Sequence, residues 1–94
     1  MVSGANEQES REIVVRVPDR ILRAEHLDTA AFGRQLKMLA AVKLYEMGRL
    51  SSGAAADLAG VTRVAFLLSL DGYQVFPLQD ELSYLESAHD RSHQ

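Results

Sequence analysis

The sequence predicts a mainly α fold: a small helix-turn-helix domain with an N-terminal β-strand, a short second strand and a C-terminal amphipathic helix. Three observations predict it. Apolar residues recur at helical spacing through residues 29–47. The stretch LSSGAAADLAGVTRVAFLLSL contains two short apolar runs separated by Gly60 and Val61. In REIVVRVP, Ile13, Val15 and Val17 alternate with Glu12, Val14 and Arg16. At 94 residues and 47% hydrophobic content, the chain is sized for one small domain. We divide it into a disordered polar leader (residues 1–10), a single domain (residues 11–88) and a frayed polar tail (residues 89–94).

The alternation at residues 13–17 puts three β-branched side chains on one face of a strand, and Pro18, which has no amide hydrogen for a ladder, ends it. Pro18 with Asp19 then opens a helical turn through Leu22. A lone strand is unstable, so it requires either a second copy of itself or the only other extended candidate, residues 73–76, bounded by Gly72 and Pro77. Over residues 29–47, Phe32, Leu36, Leu39, Ala40, Leu44 and Met47 fall on one helical stripe. Asp28 or Thr29 is placed to cap that helix, and Gly48 to close it.

Within the helix-turn-helix candidate, Ser51 is the N-cap of a first helix whose Ala54, Ala55, Leu58 and Ala59 form a small-residue face. Gly60 ends that helix, Val61 fills the corner, and Thr62 caps a second helix with Ala65, Phe66, Leu67 and Leu70 inward. After Pro77, Leu78, Leu82, Leu85 and Ala88 recur at helical spacing, with Asp80 and Glu81 near the start, where the helix dipole favours acids.

Composition narrows the chemistry. There is no Cys, so disulfides, thiolate metal sites and a Cys nucleophile are excluded. The three His residues, His26, His89 and His93, lack a third ligand at useful spacing, and the glycines form neither a dinucleotide fingerprint nor a P-loop. We therefore expect no enzyme activity, no metal and no cofactor. No apolar run is long enough for a membrane span, and MVSGANEQES lacks the plan of a signal peptide, so a cytoplasmic location is expected. Net charge is −3, but unevenly distributed. Residues 11–49 carry eight cations and five acids, net +3, whereas residues 50–94 carry two cations and six acids, net −4. A phosphate-facing surface would draw on the first half.

The block KMLAAVKLYEMGRLSSGAAADLAGVTRVAFLLSLDGYQVFPL resembles a family of small, formally uncharacterised prokaryotic proteins. Its members share a long helix ending in a KLYEEGKLS-like segment, a GKAAELAGMSRxEFLELL-like segment and a Gly-Ile-Pro-Val-like strand. IVVRVPDRIL is similar to the family's opening strand and turn. The family is regarded as antitoxin-like. The resemblance implies a helix-turn-helix protein that neutralises a PIN-domain-like toxin nuclease and regulates its own operon. Members often carry Lys where Ala54 stands and an acid where Val64 or Ala65 stands, so a phosphate-binding candidate is lost here.

Two DNA-binding mechanisms follow. IVVRVPDRIL also resembles the opening of a ribbon-helix-helix antitoxin, in which two chains pair strands and lay a ribbon in the major groove. There Arg16 would read a guanine, and Arg11 or Arg20 would hold phosphates. In a helix-turn-helix the second helix enters the groove, and Thr62, Arg63 and Val64 lead it, with Ser69 further along. A single strong reader, Arg63, leaves open that the motif only packs the domain. Toxin binding is expected at Leu78, Leu82, Leu85 and Glu81, an apolar stripe edged with acid that suits a basic nuclease surface. The expected partners are thus the toxin, operator DNA and a second copy in a homodimer, with no membrane. The alternative is a protein-interaction module whose helix-turn-helix never meets DNA.

Overall fold

Short polar side chains start three of the four α-helices among the described residues. In the computed structural model, which describes residues 9–77, these are α1 (Asp19–Glu25), α2 (Thr29–Glu46), α3 (Ser52–Ala59) and α4 (Arg63–Ser69), followed by a 3-10 turn (Leu70–Tyr73). An Asp28 Oδ1 accepts from the Ala31 N–H at 2.8 Å, Ser51 Oγ from Ala54 at 3.1 Å, and Thr62 Oγ1 from Ala65 at 3.1 Å. Each satisfies an amide that the first helical turn leaves without a partner, worth about 1 kcal/mol. At the other end of α3, Gly60 turns the chain with φ 77° and donates its N–H to the carbonyls of Ala56 and Asp57. α1 is different: Pro18 precedes it, no side chain caps it, and none of its residues is buried. Its Asp19–Arg23 ion pair, at 2.8 Å, is solvent-exposed and contributes little.

The core is a cluster of α2, α3, α4 and the chain just beyond them. Ala41, Val42 and Tyr45 of α2 face Ala55 and Ala56 of α3, with Phe66 and Leu67 of α4 and Leu70 and Val75 completing it. The two buried alanines let α3 lie close between its neighbours. Tyr45 and Phe66 meet edge to face, centroids 5.6 Å apart and planes at 86°, a geometry that adds about 1 kcal/mol to area burial. Met38, Leu50, Leu58, Ala59 and Val61 pack around this cluster.

The structure corrects the sequence-based fold in several places. No β-strand exists among the described residues. The expected N-terminal strand is a segment without regular secondary structure, and its Ile13 and Val14 are 86% and 88% exposed. Alternation describes side-chain facing, but a strand also needs a backbone partner, and none is present among the described residues. The expected second strand at residues 73–76 is broken at its start. Tyr73 closes the 3-10 turn, and Gln74 is left-handed at φ 60°, with its N–H donated to the Asp71 carbonyl. Val75 donates to Leu70 O at 3.1 Å and enters the core, while Phe76 is exposed. The turn at Pro18 continues as a full helix to Glu25. The expected C-terminal helix lies outside the described residues.

The phase of α2 is also corrected. Of the predicted stripe, Leu36, Leu39 and Met47 are exposed, whereas the buried positions are Ala41, Val42 and Tyr45. On α3, Ala54 is exposed and Ala55 and Ala56 are buried; on α4, Ala65 is exposed.

Two stability effects are expected, both read by urea unfolding. Phe66→Ala empties the most buried large side chain of a small core and should cost about 3–5 kcal/mol. Gly60→Ala adds a Cβ that meets nothing within 4 Å, so only the left-handed backbone is penalised, by about 1–2 kcal/mol.

Candidate nucleic-acid and protein interface

The α3–α4 unit is two short helices joined by a tight turn. α3 and the segment from Arg63 to Tyr73 are bent by 92°, joined through Gly60, Val61 and Thr62. Val61 tucks against the core and fixes the corner. The predicted reading positions at the start of α4 are only partly available. Thr62 is exposed, but its hydroxyl oxygen is engaged as the cap; Val64 is half-buried; Ser69 donates its hydroxyl to the Phe66 carbonyl at 2.6 Å. The outward face of α4 presents the apolar Ala65 and Leu68, while Arg63, exposed at the helix start, lies on the side of Phe66 and Leu67 and reaches toward α3.

Arg63 has a structural task. Its Nε donates to Ser52 Oγ at 2.8 Å, and Ser52 is 2% exposed at the start of α3. The guanidinium therefore ties the first turn of one helix to the first turn of the other, satisfying a hydroxyl that burial would otherwise leave costly. Ser52 escaped sequence reasoning because the two residues are eleven apart and only the bend between α3 and α4 brings them together. The local signal, a second Ser directly after a capping Ser, does not specify a partner.

Arg16 and Arg20 are exposed, on the N-terminal segment and α1 respectively. They share neither the core nor a hollow with Arg63. The expected toxin contacts Leu78, Leu82, Leu85 and Glu81 lie outside the described residues. Among the described residues no group of three His, Asp or Glu side chains is gathered for a metal, and no single helix is long and apolar enough to cross a membrane.

A second exposed apolar surface lies along α2. The outward side of α2 carries Leu36, Leu39 and Met47 exposed along its length. At its N-terminal end, α2, Leu22 of α1 and the irregular N-terminal segment border an open groove of about 520 Å³, lined by Val15, Val17, Leu22, Phe32 and Leu36 with Arg34 and Lys37. Near its C-terminal end, Tyr45, Glu46 and Gly48 form a hollow of about 310 Å³ with Gln74, Val75 and Phe76.

These features define a helix-turn-helix domain with an additional apolar helix face. The chain belongs to the uncharacterised protein family UPF0175, whose family model matches residues 8–87. No curated protein and no solved structure matches it.

The Arg63–Ser52 bond is checked by a double-mutant cycle. Arg63→Ala strands the buried Ser52 hydroxyl and should destabilise by about 1–3 kcal/mol, whereas Ser52→Ala leaves a guanidinium that reaches water and should cost less. The double variant should be markedly less destabilised than the sum of the two, with thermal unfolding as the readout.

Proposed function

We propose that this chain is a cytoplasmic antitoxin-type protein that binds and neutralises a PIN-domain-like toxin nuclease, with a subsidiary role in repressing its own promoter as a homodimer. The observation that carries the regulatory part is the 92° bend between α3 and α4 over a three-residue glycine-containing turn, the geometry in which a second helix is offered to the major groove. The neutralising part draws on the family resemblance and on charge: the second half of the chain is acidic and carries Leu78, Leu82 and Leu85 at helical spacing beside Glu81, a composition suited to a basic nuclease surface. DNA contact is the weaker of the two activities. Arg63 is the strongest candidate reader on α4 and already holds Ser52, and the exposed Ala65 and Leu68 on the outer side of the helix offer bases no hydrogen bond.

That same observation favours the second reading, a protein-interaction module whose helix-turn-helix serves only to build the domain. In it α4 packs through Phe66 and Leu67 and presents an apolar outer side to a protein.

Two measurements distinguish them. A gel shift on the DNA upstream of the reading frame, at low and high salt, should show sequence-selective binding that weakens with salt as phosphate contacts by Arg16 and Arg20 are screened. Arg16→Ala with Arg20→Ala should weaken it without disturbing the core, since neither residue is buried. No selective shift at either salt supports the interaction module. In parallel, a chain ending at Pro77 should fail to neutralise the nuclease encoded beside it; neutralisation by the truncated chain would remove residues 78–94 from the toxin contact.

A further inference from the structure

We propose that two copies of this chain meet through residues 13–39: the side of α2 that carries Leu36 and Leu39, together with the groove this side forms with Leu22 and the segment before α1. The proposal rests on the homodimer of the reading above and assigns its contact; it is independent of the toxin and of the operator.

Three observations converge. The first is that the N-terminal part of the domain has no core of its own. None of residues 9–40 is buried, and the buried positions of α2 begin at Ala41. α1 has seven residues, no side-chain cap and no buried residue. An isolated helix shorter than about 12–15 residues is marginal in water, so a helix of this kind holds its shape when another surface covers it. The second is the apolar face. Leu36 and Leu39 are turned away from Ala41 and Tyr45. Beside them Ile13 and Val15 are 86% and 61% exposed and line the open groove with Val17, Leu22 and Phe32. A stable contact buries roughly 800 Å² per partner and is a little over half apolar, and the exposed parts of Ile13, Val15, Leu36 and Leu39 come to on the order of 400 Å², which is that apolar share.

Charge is the third, and it selects the occupant. Residues 9–40 carry six cations and five acids. A surface that meets its own copy across a two-fold axis has to be self-complementary, and both signs in near balance satisfy this, whereas a nucleic-acid surface would be dominated by cations. Arg34 and Lys37 line the groove with no acid beside them, while Glu9 and Glu12 directly precede Ile13 in the chain. Neither of these acids is ion-paired among the described residues. Across the two-fold contact, the acids of each copy are the groups that answer the cations of the other.

Analytical ultracentrifugation of the full chain should give a dimer in the micromolar range. Leu36→Glu with Leu39→Glu should weaken self-association by about a hundredfold, because two carboxylates from each copy would face one another in the contact. Leu68→Glu, the same kind of change on the outer side of α4, should leave the dimer intact. A second measurement serves where the double variant loses helix. The chain has no native Cys, so Leu39→Cys should be joined to a second copy by a short bis-maleimide, and Leu68→Cys should not. A dimer that survives Leu36→Glu with Leu39→Glu, or that cross-links equally at the two positions, would overturn the assigned contact and leave the homodimer standing. A wild-type chain that stays monomeric throughout that range would overturn both and give the face to a different protein.

Discussion

The close approach of α3 to its neighbours, permitted by Ala55 and Ala56, is the contact on which the rest of the structure depends. With no side chain larger than a methyl group at these buried positions, α3 sits near enough to α2 for Val42 and Tyr45 to close over it, and near enough to α4 for Phe66 to reach Tyr45. A larger residue at either position would push the helices apart and separate the aromatic pair. The bend between α3 and α4 follows from the same contact. Gly60 supplies the left-handed step, Val61 packs into the corner, and Arg63 reaches back to Ser52 only because the two helix starts are held at that angle.

Much of this was legible locally. Ser51 and Thr62 were readable as caps, the cap of α2 as Asp28 or Thr29, and Gly60 as a stop, because capping is a short-range hydrogen-bond problem whose solution involves residues three apart. The glycine corner with its following apolar residue was readable for the same reason. The strands were not, since alternation at Ile13, Val15 and Val17 reports facing, and nothing local reports whether a ladder partner exists. The phase of α2 was not legible either. Its apolar residues occupy two faces, so periodicity identifies a helix without saying which side meets α3. The large residues Phe32, Leu36, Leu39 and Met47 drew the assignment, while the buried side is built on the smaller Ala41 and Val42 beside Tyr45. As for the candidate site, Arg63 was found but its tie to Ser52 was not, because that bond crosses eleven positions and needs the fold to exist first.

The reassignment of Arg63 changes how the helix-turn-helix is to be understood. A guanidinium donating through Nε to a buried hydroxyl is held in one orientation, so the bond both stabilises the motif and fixes the direction in which the rest of the side chain points. Loss of binding on removing Arg63 would not by itself report a base contact, and the exposed Arg16 and Arg20 are cleaner probes of phosphate attraction.

The size ordering on α2 carries the functional argument one step further. In a domain that buried everything it could, large apolar residues would lie inside and small ones outside. Here Leu36, Leu39 and Met47 stay outward, while the inward side of α2 combines the small Ala41 and Val42, where α3 approaches closely, with the large Tyr45. Leucine-sized residues repeating along a helix suit a second helix at the ordinary separation of about 8–10 Å, where such side chains interdigitate. Exposing them to water gains nothing for the α2–α3–α4 core, which closes without them. The outward face of α2 thus exposes leucine-sized side chains that the α2–α3–α4 core does not use.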